Sequence, residues 1–281
     1  MSRRAFLVLE DGSIFPGYSF GAEQEISGEV VFNTGMTGYQ EVLTDPSYGG
    51  QLVVMTYPLI GNYGVSDQHN ESGRVQVAGF IVREHSLTPN NGFNDMTLDE
   101  FMKQKSVPGI YGVDTRAITR RIRRHGVMMG IIQLDSPDDA LKTLALAPRY
   151  DNVDFVSKVT TLEPYEWQDN DNKRQQQFHI LISDYGLKYN ILRLLKQRGC
   201  KVTVFPAKAN AEEILDCKPD GVLLSPGPGD PSLLEDLVRT TSALIGRTPM
   251  LGICLGHQII GRALGATTFK LKFGHRGANH P

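Results

Sequence analysis

Between residues 178 and 264 the sequence alternates short β-rich runs with amphipathic helical ones, and this rhythm constrains the fold more than any other feature. The runs at 178–182, 202–205, 221–224 and 250–253 have the branched and aliphatic character of buried strands. Those at 187–198, 211–215, 233–245 and 255–264 space their apolar residues as helices do. Repeated β-α-β units predict a parallel sheet with helices on both faces, since each parallel pairing needs a crossover that packs back onto the sheet. In such α/β sheets the chemistry gathers beyond the carboxyl ends of the strands. Two unusual motifs fall at such ends.

The residues before this region follow another pattern. Short β-rich runs at 5–9, 28–33, 51–56 and 75–83 are broken by glycine-bearing turns, with helices expected at 98–103 and 115–125 and a strand at 128–134. This first part therefore reads as an α+β domain over residues 1–150. Residues 151–177 lose hydrophobic periodicity and end in a dense polar stretch, so they read as a linker. The second domain runs from 178 to 281. A chain of 281 residues accommodates two domains at roughly 100–200 residues each.

Bulk properties exclude several function classes. A formal net charge of −2 gives no reason to expect nucleic acid or an anionic membrane as the main partner. No apolar run approaches the ~20 residues of a membrane span. Cys200, Cys217 and Cys254 form no C-x-x-C pair and are odd in number, which fits thiols in a reducing, cytoplasmic compartment rather than a disulfide frame or zinc site. The arginine-rich helix at 116–125 reads first as a solvated face and second as a subunit contact.

The first of the two motifs is Gly252-Ile253-Cys254-Leu255-Gly256-His257-Gln258. Its spacing is that of a nucleophile elbow, with sulfur in place of the usual oxygen. Flanking glycines let the chain turn sharply from strand to helix and let the helix approach the strand. A thiol ahead of a helix N-terminus is shifted towards thiolate, and the Leu255 N–H is expected to face an oxyanion. Taken alone, the heptapeptide also fits a buried structural cysteine. The second motif is Leu224-Ser225-Pro226-Gly227-Pro228-Gly229-Asp230-Pro231, a rigid loop whose bare backbone can approach a ligand. Taken alone, it also fits a tight strand-to-helix connection.

Together the two motifs resemble a class I, triad-type glutamine amidotransferase. The first half narrows the resemblance to the small chains of carbamoyl-phosphate synthetases, through Val31-Phe32-Asn33-Thr34, Met36-Thr37-Gly38-Tyr39-Gln40-Glu41, Leu43-Thr44-Asp45-Pro46-Ser47-Tyr48, Tyr57-Pro58-Leu59-Ile60-Gly61-Asn62, Val113-Asp114-Thr115-Arg116 and the tail from Lys272 to Pro281. The resemblance implies that Cys254 attacks the glutamine side-chain amide and that Ser47, Gly227, Gly229, Leu255 and Gln258 contact glutamine, with Leu255 and Gly229 amides steadying the oxyanion. It further implies the glutaminase component of a glutamine-hydrolysing ligase (EC 6.3.5.5). Ammonia would pass to a large subunit that uses bicarbonate and ATP with Mg to make carbamoyl phosphate for arginine and pyrimidine synthesis. No cofactor or metal is expected in this chain itself.

One element of the family's pattern is not found. The base is a His-x-Glu pair downstream of the nucleophile, but after Cys254 only His257, His275 and His280 occur, none with glutamate two positions on. The expectation is therefore an amidotransferase domain whose C-terminal part is missing, with little activity alone and an open sheet edge. The competing readings are a regulatory partner subunit without catalysis and an amidotransferase serving another synthase.

Overall fold

The computed structural model describes residues 3–90, 96–168, 177–274 and 276, which divide into two compact units. The first unit comprises residues 1–44, 50–150 and 270–281, and the second comprises 45–49 and 151–269. The short turn from Asp45 to Gly49 thus leaves the first unit and belongs to the second.

The first unit contains β1 (Arg4–Leu9), β2 (Ile14–Gly21), β3 (Ile26–Asn33), α1 (Tyr39–Thr44), β4 (Gln51–Met55), β5 (Leu59–Ile60), β6 (Gly79–Ile81), β7 (Glu84–His85), α2 (Leu98–Gln104), β8 (Pro108–Tyr111), α3 (Thr115–His125), β9 (Met128–Leu134) and α4 (Ala140–Leu146). Seven of its strands close into a barrel in the order β1-β2-β8-β6-β4-β3-β9. Alternate residues of these strands, among them Leu7, Leu9, Val30, Phe32, Leu52 and Val54, form one core with Ile118 and Ile122 of α3. The amphipathic spacing of α3 explains why it packs there, and its N-terminus is capped by the Asp114 carboxylate on the Ala117 N–H at 2.9 Å. Arg116, Arg120, Arg123 and Arg124 lie on the exposed side. The tail returns to this unit: Lys270 pairs with buried Glu29 at 2.6 Å, and the Lys272 carbonyl accepts the Val127 N–H.

Several features of the first unit differ from expectation. Residues 75–83 pair as a strand only over Gly79–Ile81. Around it the chain is held singly, with the Gln76 N–H on the Leu43 carbonyl and the Ala78 N–H on Gln51. Strand β2 was not anticipated because Pro16-Gly17 in its middle reads as a turn. It pairs with β1 nonetheless, and Gly17 is needed there since a Cβ would lie 2.4 Å from the Tyr111 carbonyl oxygen. Helix α1 was also unread, its six residues being too few to establish a period.

The second unit contains α5 (Val156–Val159), β10 (Tyr165–Glu166), β11 (Phe178–Asp184), α6 (Tyr189–Gln197), β12 (Cys200–Pro206), α7 (Ala211–Asp216), β13 (Gly221–Leu224), α8 (Glu235–Leu244), β14 (Met250–Gly252) and α9 (Leu255–Ala263). The sheet order is β10-β12-β11-β13-β14, parallel except for β10. Residue alternation along the strands separates two cores. Leu181, Val222 and Leu224 face α7, α8 and α9 through Ile214, Leu237 and Ile259. Ile182, Val202, Val204 and Leu223 face α6 through Leu192. Helices therefore cover both faces, as the alternating sequence pattern requires. Strand β14 forms one edge of the sheet, where Leu251 is 59% exposed.

The stretch read as a linker is structured over residues 151–168. Val156 enters the second unit's core, Trp167 packs on Tyr189, and β10 adds antiparallel to β12. Its hydrophobic contacts are too widely spaced to give a periodic signal. The polar remainder, 169–176, lies outside the described residues.

Candidate functional site

Cys254 sits between β14 and α9 with φ 51° and ψ −109°, a left-handed backbone unusual for a residue with a Cβ. Such a conformation costs about 1–3 kcal/mol and persists only where surrounding contacts enforce it. Those contacts are visible. The Ile253 N–H donates to the Leu224 carbonyl at 3.0 Å, and the Gly256 N–H donates to the Ser225 carbonyl at 3.1 Å. The two glycines make this approach feasible. A Cβ on Gly252 would lie 2.5 Å from the Gly256 carbonyl carbon, and one on Gly256 would lie 2.2 Å from the Leu224 oxygen. The elbow glycines are thus dictated by helix-on-strand packing. The bend leaves Cys254 exposed at the carboxyl end of the sheet, against the positive end of a nine-residue helix. None of the three cysteines is in a disulfide.

Leu255 and Gln258 follow from the same helix. The Leu255 side chain is buried, 1% exposed, and no oxygen among the described residues accepts its N–H. The Gln258 N–H donates to the Cys254 carbonyl at 3.1 Å, and Gln258 is exposed one turn on, on the helix face that Cys254 begins. His257 is exposed as well.

The loop after β13 lies beside the elbow. A Cβ on Gly227 would meet the Tyr185 oxygen at 2.1 Å and Leu255 Cδ2 at 2.9 Å, so only glycine fits. Gly229 takes φ 90° with no atom closer than 3.9 Å to its Cβ position, so backbone conformation, not space, selects glycine there. Ser225 pins the loop from beneath, its hydroxyl accepting the Tyr185 N–H and donating to the Pro226 carbonyl, both at 2.8 Å.

Ser47 joins these elements through its turn. A Cβ at Gly49 would lie 3.4 Å from Pro228 Cγ. One at Gly186, after β11, would lie 2.9 Å from Gly227 Cα, 3.0 Å from Pro228 Cδ and 3.2 Å from Pro46 Cβ. Ser47 is held by Asp45, whose Oδ1 accepts the Ser47 N–H at 2.9 Å and whose Oδ2 pairs with Lys188 Nζ at 2.7 Å. The structure brings Ser47, Gly227, Gly229, Leu255, Gln258 and Cys254 to one end of one sheet.

The structure adds Lys188, Asp184 and Gly186 to the site and gives Asp45 a role in holding it. Asp-Pro-Ser already carries the signature of a capped turn, and Asp184-Tyr185-Gly186 stands at a strand's carboxyl end, where site residues of parallel sheets collect. Replacing Asp45 by alanine would leave the Ser47 N–H and Lys188 without their carboxylate. The expected result is a turn that frays and a stability lower by about 1 kcal/mol, checked by thermal unfolding.

Two family profiles match the chain: the carbamoyl-phosphate synthase small chain, CPSase domain, over residues 7–132, and glutamine amidotransferase class-I over residues 181–281. The carbamoyl phosphate synthase small chain of Akkermansia muciniphila is 50% identical over 99% of this chain and 76% of its own length. The chain belongs to the carbamoyl-phosphate synthase small-chain family. Family members from Nostoc sp., 49% identical over 99% of this chain and 75% of the relative, and from the chloroplast of Oryza sativa subsp. japonica, 49% identical over 99% and 64%, show the same extent of similarity. The chain thus spans about two thirds to three quarters of the length of these three relatives. Both domains of the family are present, in the expected order. Among the described residues no helix is long and apolar enough to cross a membrane, and no group of three or more His, Cys, Asp or Glu could hold a metal ion.

Proposed function

We infer that this protein is the glutaminase component of a carbamoyl-phosphate synthase, with Cys254 as nucleophile. The observation that carries the reading is the strained Cys254 elbow, enforced by glycine-mediated packing and set beside the Gly227–Gly229 loop within the amidotransferase match. The Cys254 thiolate adds to the side-chain carbonyl carbon of glutamine, forming a tetrahedral oxyanion. That oxyanion is received by the N–H groups of Leu255 and Gly229. Collapse breaks the C–N bond, the nitrogen leaves as ammonia after taking a proton, and a glutamyl thioester remains. Water then attacks the thioester, releasing glutamate and restoring the thiol. The family places the base for these proton transfers in a His-x-Glu pair.

Ser47, Gly227, Gly229 and Gln258 hold the glutamine. The partner is a large subunit that receives the ammonia and joins it to bicarbonate with ATP and Mg, neither of which this chain binds. No nucleic acid or membrane takes part, and the compartment is the cytoplasm. The test is to assemble the full-length protein with its large chain and compare nitrogen sources. Glutamine-dependent carbamoyl phosphate formation should require the small chain, and ammonia-dependent formation should not. Equal dependence of both on the small chain would favour the non-catalytic, regulatory reading.

A further inference from the structure

Resting on the glutaminase reading, we propose that Asp184 is a positioning residue of the glutamine site, fixing through Gly186 the place where the Gly227–Pro228 wall and the Ser47 turn converge. Asp184 ends β11 and is 6% exposed. Its Oδ1 accepts the N–H groups of Gly186 at 2.9 Å and Leu187 at 2.8 Å, and its Oδ2 accepts that of Thr161 at 2.7 Å. One carboxylate therefore ties the chain after β11 to the segment that follows α5. Among the described residues no cation pairs with it, and the titratable groups that face it are Tyr165 and Tyr189. Burial pushes the carboxyl up from its ordinary range, opposed by the three N–H donors. A buried carboxylate without a countercharge is a demanding way to close a loop, and its three N–H bonds are what offset that cost.

Gly186 shows what these bonds position. It takes φ 138°, and a Cβ there would lie within 3.2 Å of Gly227 Cα, Pro228 Cδ and Pro46 Cβ together. The bare α-carbon is the seat on which both walls rest, one carrying Gly227 and Gly229, the other carrying Ser47. A shift of a few tenths of an ångström at Gly186 displaces both walls and widens the site for the glutamine. The thiol on its own elbow is unaffected, because the elbow is set by Leu224, Ser225 and Gly256. Asp184 thus acts on binding and not on nucleophilicity.

The test uses the full-length protein with Asp184→Asn, Asp184→Ala and Gly186→Ala, read by glutamine kinetics and by iodoacetamide labelling of Cys254 with and without L-glutamine. Asp184→Ala is expected to raise KM at least ~10-fold and, because the displaced wall also carries the Gly229 oxyanion donor, to lower kcat by up to about tenfold, with Asp184→Asn intermediate because its amide oxygen still serves Gly186 and Leu187. The glutamine concentration that protects Cys254 should rise by the same factor, while labelling without glutamine keeps the parental rate. Gly186→Ala leaves the carboxylate's bonds in place, crowds the seat, and should reproduce the KM effect even if the Asp184 variants fold poorly. Parental KM and parental protection in Gly186→Ala, or in folded Asp184 variants, would overturn the proposal. If glutamine fails to protect Cys254 in the parental protein, the glutaminase reading itself falls, a result distinct from loss of the Asp184 role alone.

Discussion

Cys254→Ser in the full-length protein is expected to lower glutamine hydrolysis by on the order of 10⁴-fold or more, the scale seen when an enzyme loses its nucleophile. A serine hydroxyl is a far weaker nucleophile near neutral pH than a thiolate, and nothing in the elbow compensates for the lost sulfur. Because Cys254 is exposed, the substitution should leave thermal unfolding within the small range of surface changes. Ammonia-dependent synthesis by the assembled enzyme should persist, since ammonia bypasses the thioester. The pairing of near-total loss with one nitrogen source and retention with the other distinguishes a missing nucleophile from a damaged fold. Parental glutamine hydrolysis by the serine variant would remove Cys254 from the mechanism.

Gly256→Ala is the change with the largest expected effect on stability. The added methyl would lie 2.2 Å from the Leu224 oxygen, 2.6 Å from its carbonyl carbon and 2.7 Å from its Cβ. These atoms belong to β13, in the middle of the paired sheet, so the strand cannot yield as a flexible side chain would. Relief must come from lifting α9 off the strand, which weakens the Gly256–Ser225 hydrogen bond and the packing of Leu255 and Ile259. Overpacking of this kind costs about 3 kcal/mol or more, enough to lower Tm by roughly 10 °C in a domain of this size. Gly261→Ala on the same helix is the internal control. Its nearest neighbour is Ala266 Cβ at 3.8 Å, so the methyl fits, and removing a mid-helix glycine should stabilise by about 0.5–1 kcal/mol. Thermal or urea unfolding of the two variants should therefore move in opposite directions. A Gly256→Ala protein as stable as the parent would show that the helix does not rest on the strand.

The second unit was the more legible of the two because its signals are local and repetitive. Gly221–Leu224 matches the expected strand, and helices α6 to α9 lie within a few residues of their expected bounds, since long amphipathic runs between buried strands leave few alternatives. The elbow was legible for a comparable reason, as a nucleophile flanked by glycines at fixed spacing has a direct backbone meaning. Barrel closure in the first unit was not. It depends on pairings between strands far apart in sequence, such as β1 with β9 and β2 with β8, and on a strand that carries Pro16-Gly17 at its centre. No local pattern encodes those partners.

The site divides along the same line. Cys254, Leu255 and Gln258 share one helix start, and Gly227 and Gly229 one loop, so each group could be read from a few adjacent residues. The Ser47 turn is different: residues 45–49 cluster with the second unit although more than a hundred residues precede that unit's continuous stretch. The Asp45–Lys188 pair and the Asp184–Thr161 bond close only in the folded chain, and no motif spacing announces them. Their assembly at one sheet end is the contribution of the structure.

The central claim, a glutamyl thioester on Cys254, is tested most directly by trapping it. The full-length protein would be quenched in acid during turnover with glutamine, and its peptides weighed by mass spectrometry. The account predicts that the peptide containing Cys254 carries the mass of one glutamyl group, that hydroxylamine removes it, and that Cys254→Ser lacks it. A quenched enzyme that turns over glutamine with Cys254 unmodified, or with the adduct on Cys200 or Cys217, would contradict the account.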